Sequence, residues 1–105
     1  MIKTVTVTYN LDGDETDSIA WDALRGALAA CGFVFKDYFP DTTCMKKEDV
    51  GDTAAALEKA GDKFLDAVVA VQKDGIAIGL DKVLLTRSNY MRYMDKGCQW
   101  QSAVL

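Results

Sequence analysis

No histidine occurs anywhere in the 105 residues. That absence excludes Ser-His and Cys-His nucleophilic catalysis, imidazole acid–base chemistry and zinc sites that need an imidazole ligand. Cysteine is sparse. Cys31, Cys44 and Cys98 are odd in number and too widely spaced for a CxxC redox or zinc motif. They read as reduced thiols rather than as a disulfide framework. No apolar run approaches the ~20 residues that a bilayer span needs. The opening MIKTVTVTYN alternates apolar residues with threonine and meets acid by Asp12, unlike the unbroken apolar stretch of a signal peptide. A cytoplasmic protein is expected, with no membrane partner. An excess of basic charge is missing too: the net charge is −4, which argues against broad duplex binding, since that relies on lysine and arginine neutralising phosphates.

What is present fits one ordinary globular domain spanning residues 1–105, half apolar and about a quarter charged. A chain of this size buries roughly 65% of its unfolded surface, enough for one core without staples. Charge is unevenly spread. Residues 1–22 carry Asp12, Asp14, Glu15, Asp17 and Asp22 against Lys3, whereas residues 82–105 carry Lys82, Arg87, Arg92 and Lys96 against Asp95.

Periodicity supplies the elements. TVTVTYNL places Val5, Val7, Tyr9 and Leu11 on one face and Thr4, Thr6 and Thr8 on the other. That is a strand in a sheet covered on one side only, with its threonine face open to water or to a partner. Ala20, Ala23, Leu24, Ala27, Leu28 and Cys31 then recur at helical spacing. Thr16, Asp17 or Ser18 is the expected cap and Gly32 the expected stop, while Gly26 weakens the helix interior by roughly 1 kcal/mol. FVFKDYF reads as a second strand ending at Pro40, and CMKK as a short third. A second helix is expected from Glu48 or Asp52 to Gly61, followed by AVVAVQ as a strand and KDG as a hairpin turn into IAIGL. VLLT reads as a further strand. Residues 90–94 fit a short helix capped by Ser88, or a continued strand, about equally.

The resulting order, β-α-β-β-α-β, is the ferredoxin-like split βαβ sandwich, an α+β fold, here with an extra C-terminal hairpin and a short tail element. Within it, LDGDETD packs four carboxylates where the first strand meets the first helix. An EF-hand is rejected: from Asp12 the sixth and twelfth positions are Asp17 and Ala23, and from Asn10 they are Glu15 and Trp21. Magnesium needs only one or two carboxylates, and Asp12 and Asp14 are its candidate ligands. Over roughly residues 1–80 the element order resembles the small ferredoxin-like nucleases of CRISPR adaptation and of some toxin–antitoxin systems. The resemblance implies a dimer that holds metal and phosphodiester with an aspartate near the end of the first strand. Here Asp12 lies just beyond the expected strand end at Tyr9 and Asn10. The plainer reading of the same carboxylates is compensation of a helix N-terminus, about 0.3–1 kcal/mol each.

The leading expectation is a non-enzymatic, acidic protein-interaction module of the inhibitor, antitoxin, immunity or counter-defence type. It would bind a protein partner or pair as a homodimer, without a cofactor, through a sheet edge or the open face. Tyr90, Met91, Arg92, Tyr93, Met94 and Trp100 are the expected interaction residues, because methionine and aromatic side chains adapt well to partner surfaces. The alternative is a magnesium-dependent dimeric nuclease using Asp12 and Asp14. Single-strand binding by Arg87, Tyr90, Arg92 and Tyr93 is the third reading, weakened by having only two arginines.

Overall fold

A computed structural model of the chain describes residues 1–12, 18–95 and 99–104. Its elements run β1 (Ile2–Leu11), α1 (Ser18–Ala30), β2 (Thr43–Asp49), α2 (Thr53–Lys73), β3 (Leu80–Arg87), β4 (Tyr90–Asp95) and β5 (Gln101–Val104). The strands form one sheet in the order β2-β1-β3-β4-β5, every neighbouring pair antiparallel. Two helices lie on one side of it, so the α+β class holds. The element order is β-α-β-α-β-β-β, and the ferredoxin-like order does not match. A split crossover is nevertheless present in a different place. β2 and β3 flank β1 and are both antiparallel to it, so they run parallel to each other, with α2 as their connection.

β1 follows its alternation. Val5, Val7, Tyr9 and Leu11 are buried, and they join Val83 and Leu85 of β3 and Cys44 of β2 in the core. From α1 come Ala20, Leu24 and Leu28, with Ala23, Ala27 and Cys31 partly buried against the same cluster. α2 contributes Ala56, Leu57, Ala60, Gly61, Phe64, Ala67, Val68 and Val71. Phe64 sits at the centre, its ring 5.3 Å from Tyr9 and 6.2 Å from Phe33.

Three expected strands are absent: AVVAVQ, FVFKDYF and IAIGL, of which only Leu80 enters a strand, as the first residue of β3. AVVAVQ belongs to α2, whose buried positions keep three-and-four spacing straight through it. A short apolar run carries no period of its own, and here the amphipathic pattern on its N-terminal side decides. Gly61 does not stop that helix, because one interior glycine costs only about 1 kcal/mol. FVFKDYF makes a single bridge, Val34 to Met45, and then turns, with the Phe39 N–H donating to the Lys36 carbonyl. The expected short strand at CMKK is the core of β2.

Both helices end the same way. Gly32 (φ 94°) and Gly75 (φ 84°) occupy the left-handed position after the helix. Their N–H groups donate to the carbonyls of Ala29 and Gln72, while Phe33 and Ile76 reach back to those of Leu28 and Val71. This is the Schellman arrangement, with an apolar residue folded back toward the core. KDG therefore terminates a helix instead of turning a hairpin, since both structures call on glycine at positive φ. α2 begins at Asp52, whose side chain accepts from the Ala55 N–H at 2.7 Å. The capping candidates Thr16 and Asp17 of α1 lie outside the described residues.

The two interior glycines differ in surroundings. At Gly26 an added Cβ would meet nothing within 4 Å, whereas at Gly61 it would stand 3.2 Å from Cζ2 of Trp100. Gly26→Ala is expected to raise stability by about 0.5–1 kcal/mol. Gly61→Ala is expected to gain nothing, because the indole already occupies that space. Chemical denaturation of both variants tests this, and equal gains would show that Trp100 moves aside freely.

Candidate functional site

The acidic segment comes first. Asp12 is exposed at the end of β1, and its backbone N–H donates to the Gly79 carbonyl at 2.8 Å. Asp14, the second candidate metal ligand, lies outside the described residues, as does Cys98. Among the described residues no group of three or more acidic or cysteine side chains is placed to hold a metal ion. Also among them, no helix is long and apolar enough to cross a membrane.

Residues 90–94 form β4, a strand and not a helix. Alternation therefore divides the six expected interaction residues between two faces. Tyr90, Arg92 and Met94 pair in register with Arg87, Leu85 and Val83 on the helix side, and Met94 is buried there. The Arg92 guanidinium carbon lies 5.1 Å from the Trp100 ring. Its Nε is buried with no hydrogen-bond partner among the described residues. Trp100 itself rests against Gly61 of α2. Met91 and Tyr93 point the other way, opposite Thr86 and Leu84. Arg87 donates to the Thr4 carbonyl at 3.1 Å, satisfying an acceptor that β3 is too short to reach.

The uncovered side of the sheet is a continuous surface. Ladder register aligns Met45, Thr6, Thr86, Met91 and Ala103 in one row, and Thr43, Thr8, Leu84, Tyr93 and Gln101 in the next. No charged residue stands in either row. Two pairs of polar side chains are joined internally: Thr8 Oγ1 and Thr43 Oγ1 are 3.3 Å apart, and the Tyr93 hydroxyl donates to Gln101 Oε1 at 3.2 Å. Charge returns only at the two ends, with Lys47 and Asp49 on β2 and the cross-strand pair Lys82 and Asp95. Leu84 and Met45 were missed in the sequence. The threonine alternation of β1 marked the face, but not which strands would extend it.

A cleft of about 520 Å³ opens on the other side, lined by Tyr9, Asn10, Trp21, Arg25, Asp41 and Thr42. Trp21, beside the acidic segment, stacks on Tyr9 at 5.7 Å. Asp22 also lines the cleft, and two of its other charged groups engage each other. The Arg25 guanidinium lies 4.4 Å over the Phe35 ring and 4.0 Å from the Asp41 carboxylate. Burial, reinforced by the neighbouring Cys44, pushes the Tyr9 hydroxyl up to about 12, against the opposing pull of Arg25. It stays protonated at neutral pH and cannot serve as a base.

Beneath α2, Glu48 is 2% exposed between two lysines. Its Oε1 lies 3.2 Å from Lys46 Nζ and 3.1 Å from Lys63 Nζ, close enough for charge but off line for hydrogen bonding. Oε2 accepts from Lys63 at 3.1 Å, and Lys46 also donates to its neighbour's carbonyl, that of Lys47, at 2.9 Å. Burial works to raise the Glu48 pKa, but the two ammonium groups outweigh it and hold the carboxyl below its ordinary value. This cluster joins strand to helix. Cys44, beside it in sequence, is fully buried, and burial pushes its thiol up to about 12 despite Arg25. Lys46, two residues on, is committed to Glu48. No family model, curated protein or solved structure matches this chain.

Two predictions follow from these buried groups. A carboxylate with a lowered folded-state pKa contributes stability that is complete above its unfolded pKa and is lost as pH falls through the folded value. Glu48→Gln should therefore cost roughly 2–3 kcal/mol at pH 7, less than a fully buried pair because Lys63 is 36% exposed. The deficit should shrink below about pH 4. Melting curves across pH would show this, and a deficit of constant size would assign the loss to packing. Cys44 should also resist alkylation in the native protein and react on unfolding, as read by peptide mapping.

Proposed function

We propose that this protein is a non-enzymatic interaction module that binds a protein through the uncovered face of its sheet. One observation carries the reading: the centre of that face is a charge-free surface of threonine, methionine, leucine and tyrosine spanning five strands. The core of a protein interface is depleted of charge and enriched in methionine and aromatic residues, with polar residues at its rim. Here Met45, Leu84, Met91 and Tyr93 occupy the middle, and the lysines and aspartates lie at the ends. Threonine on a solvent-facing strand is ordinary. A methionine on each side of the threonine rows, with leucine and tyrosine beside them, is what distinguishes a binding face from a wet one.

Inhibitors, antitoxins, immunity proteins and counter-defence factors all act by such surface engagement, and this reading places the protein in that class. Of the six residues expected to make contact, Met91 and Tyr93 belong to the face. Tyr90, Arg92, Met94 and Trp100 support it from beneath.

A photo-crosslinking side chain at Leu84 tests the reading in cells of the source organism. Val69, exposed on α2, is the matched control position. A discrete adduct from position 84, absent from position 69, is the expected result. Equal or absent labelling at the two positions would overturn it.

A further inference from the structure

We infer that the uncovered sheet face closes against a second copy of this chain, forming a face-to-face dimer with the helices outside. The inference rests on the binding reading of that face and names its occupant.

Three observations select a second copy. The first is charge. The chain carries −4 overall, yet the charged groups at the ends of the face, Lys47, Asp49 with the N-terminal ammonium 2.7 Å from it, Lys82 and Asp95, sum to +1, so the face is close to neutral. A basic partner would be drawn to the acidic stretch at residues 12–22 and not to this neutral surface. A second copy brings an equally neutral face, so two acidic molecules can meet here despite their net repulsion. Beyond about 8 Å that repulsion is screened at physiological salt.

The second is polar satisfaction. Burying a hydroxyl without a partner costs about 1–3 kcal/mol by mutational measures, but Thr8 is joined to Thr43 and Tyr93 to Gln101 within the face. Those four side chains can be dried with part of their hydrogen bonding already met. The hydroxyls of Thr6 and Thr86 in the neighbouring row both donate and accept, so the same residues of a second copy can serve as their complement, as a two-fold interface requires.

The third is area. Five strands spaced ~4.8 Å apart, read over about six residues of ~3.4 Å each, give a footprint of roughly 500 Å² in projection. Corrugated by side chains, its accessible surface is of the order of the ~800 Å² per partner in standard interfaces. Two sheets packed this way lie about 10 Å apart, each with its helices on the outer side.

Sedimentation velocity from about 1 µM to several hundred µM tests the inference, with circular dichroism confirming the fold of each variant. Wild type is expected to show a concentration-dependent dimer. Leu84→Lys and Thr6→Lys should each weaken it at least tenfold while Val69→Lys leaves it unchanged. Two separate face variants guard against one failing to fold. A monomer at all concentrations overturns the inference. If the Leu84 crosslinker then captures a different chain, the binding reading survives alone, and if it captures nothing both fail. A dimer indifferent to Leu84→Lys and Thr6→Lys but abolished by Ser102→Pro would be an edge-to-edge pairing through β5, and also overturns it.

Discussion

The structure depends on β1 being satisfied on both edges and on one face. Ile2–Thr8 pair with β2 on one side and Thr6–Leu11 with β3 on the other, and its apolar half meets Phe64 and the rest of the helical layer. Where β3 ends short, the Arg87 guanidinium supplies the donor that a longer strand would have given to Thr4. A central strand leaves few buried carbonyls or N–H groups to chance, because each unpaired one costs about as much as a lost hydrogen bond. Everything else is arranged around that requirement. α2 carries the chain from one flank of β1 to the other, and α1 fills the remaining apolar stripe above it.

How far this was legible in the sequence varies with the kind of signal. β1 was readable because strict alternation over eight residues admits one interpretation. α1 was readable because its alanine-rich stripe ends at Gly32, which does terminate it. The second helix runs on past Gly61, where the sequence pattern ends it, and its last turns cover the expected strand AVVAVQ. The run AVVAV is equally apolar in either period, and what decides is the amphipathic pattern of α2 on its N-terminal side, which continues straight through Gly61. FVFKDYF failed for a related reason. Its aromatic residues favour strands, but Phe33 is used as the apolar residue that closes the end of α1, which leaves only Val34 to pair.

The candidate surface was half legible. Residues 90–94 and Trp100 stand out by composition, yet composition does not say which face a side chain takes. Once the segment is a strand, Met91 and Tyr93 separate from Tyr90, Arg92 and Met94 as a matter of geometry. The partners that complete the face, Met45 and Leu84, sit singly among polar neighbours in strands whose register only the sheet fixes. The buried Lys46–Glu48–Lys63 cluster was hidden in the same way. Lys46 and Glu48 are two apart on β2 and so share the helix side, where sequence alone would have put charges in water.

Strand order also sets a timetable. β1 pairs through Thr6 with Thr86, about 80 residues further along the chain. At a synthesis rate of about 5–20 residues per second, β1 waits roughly 4–16 s for its second neighbour to be made. Throughout that interval a ten-residue alternating strand, rich in valine and threonine, has one edge unpaired while its other partner is arriving. Such an edge is a template for joining other strands. The nascent chain is therefore most exposed to mispairing before β3 emerges, and crowded ribosomes or slowed translation over residues 50–80 would lengthen that exposure.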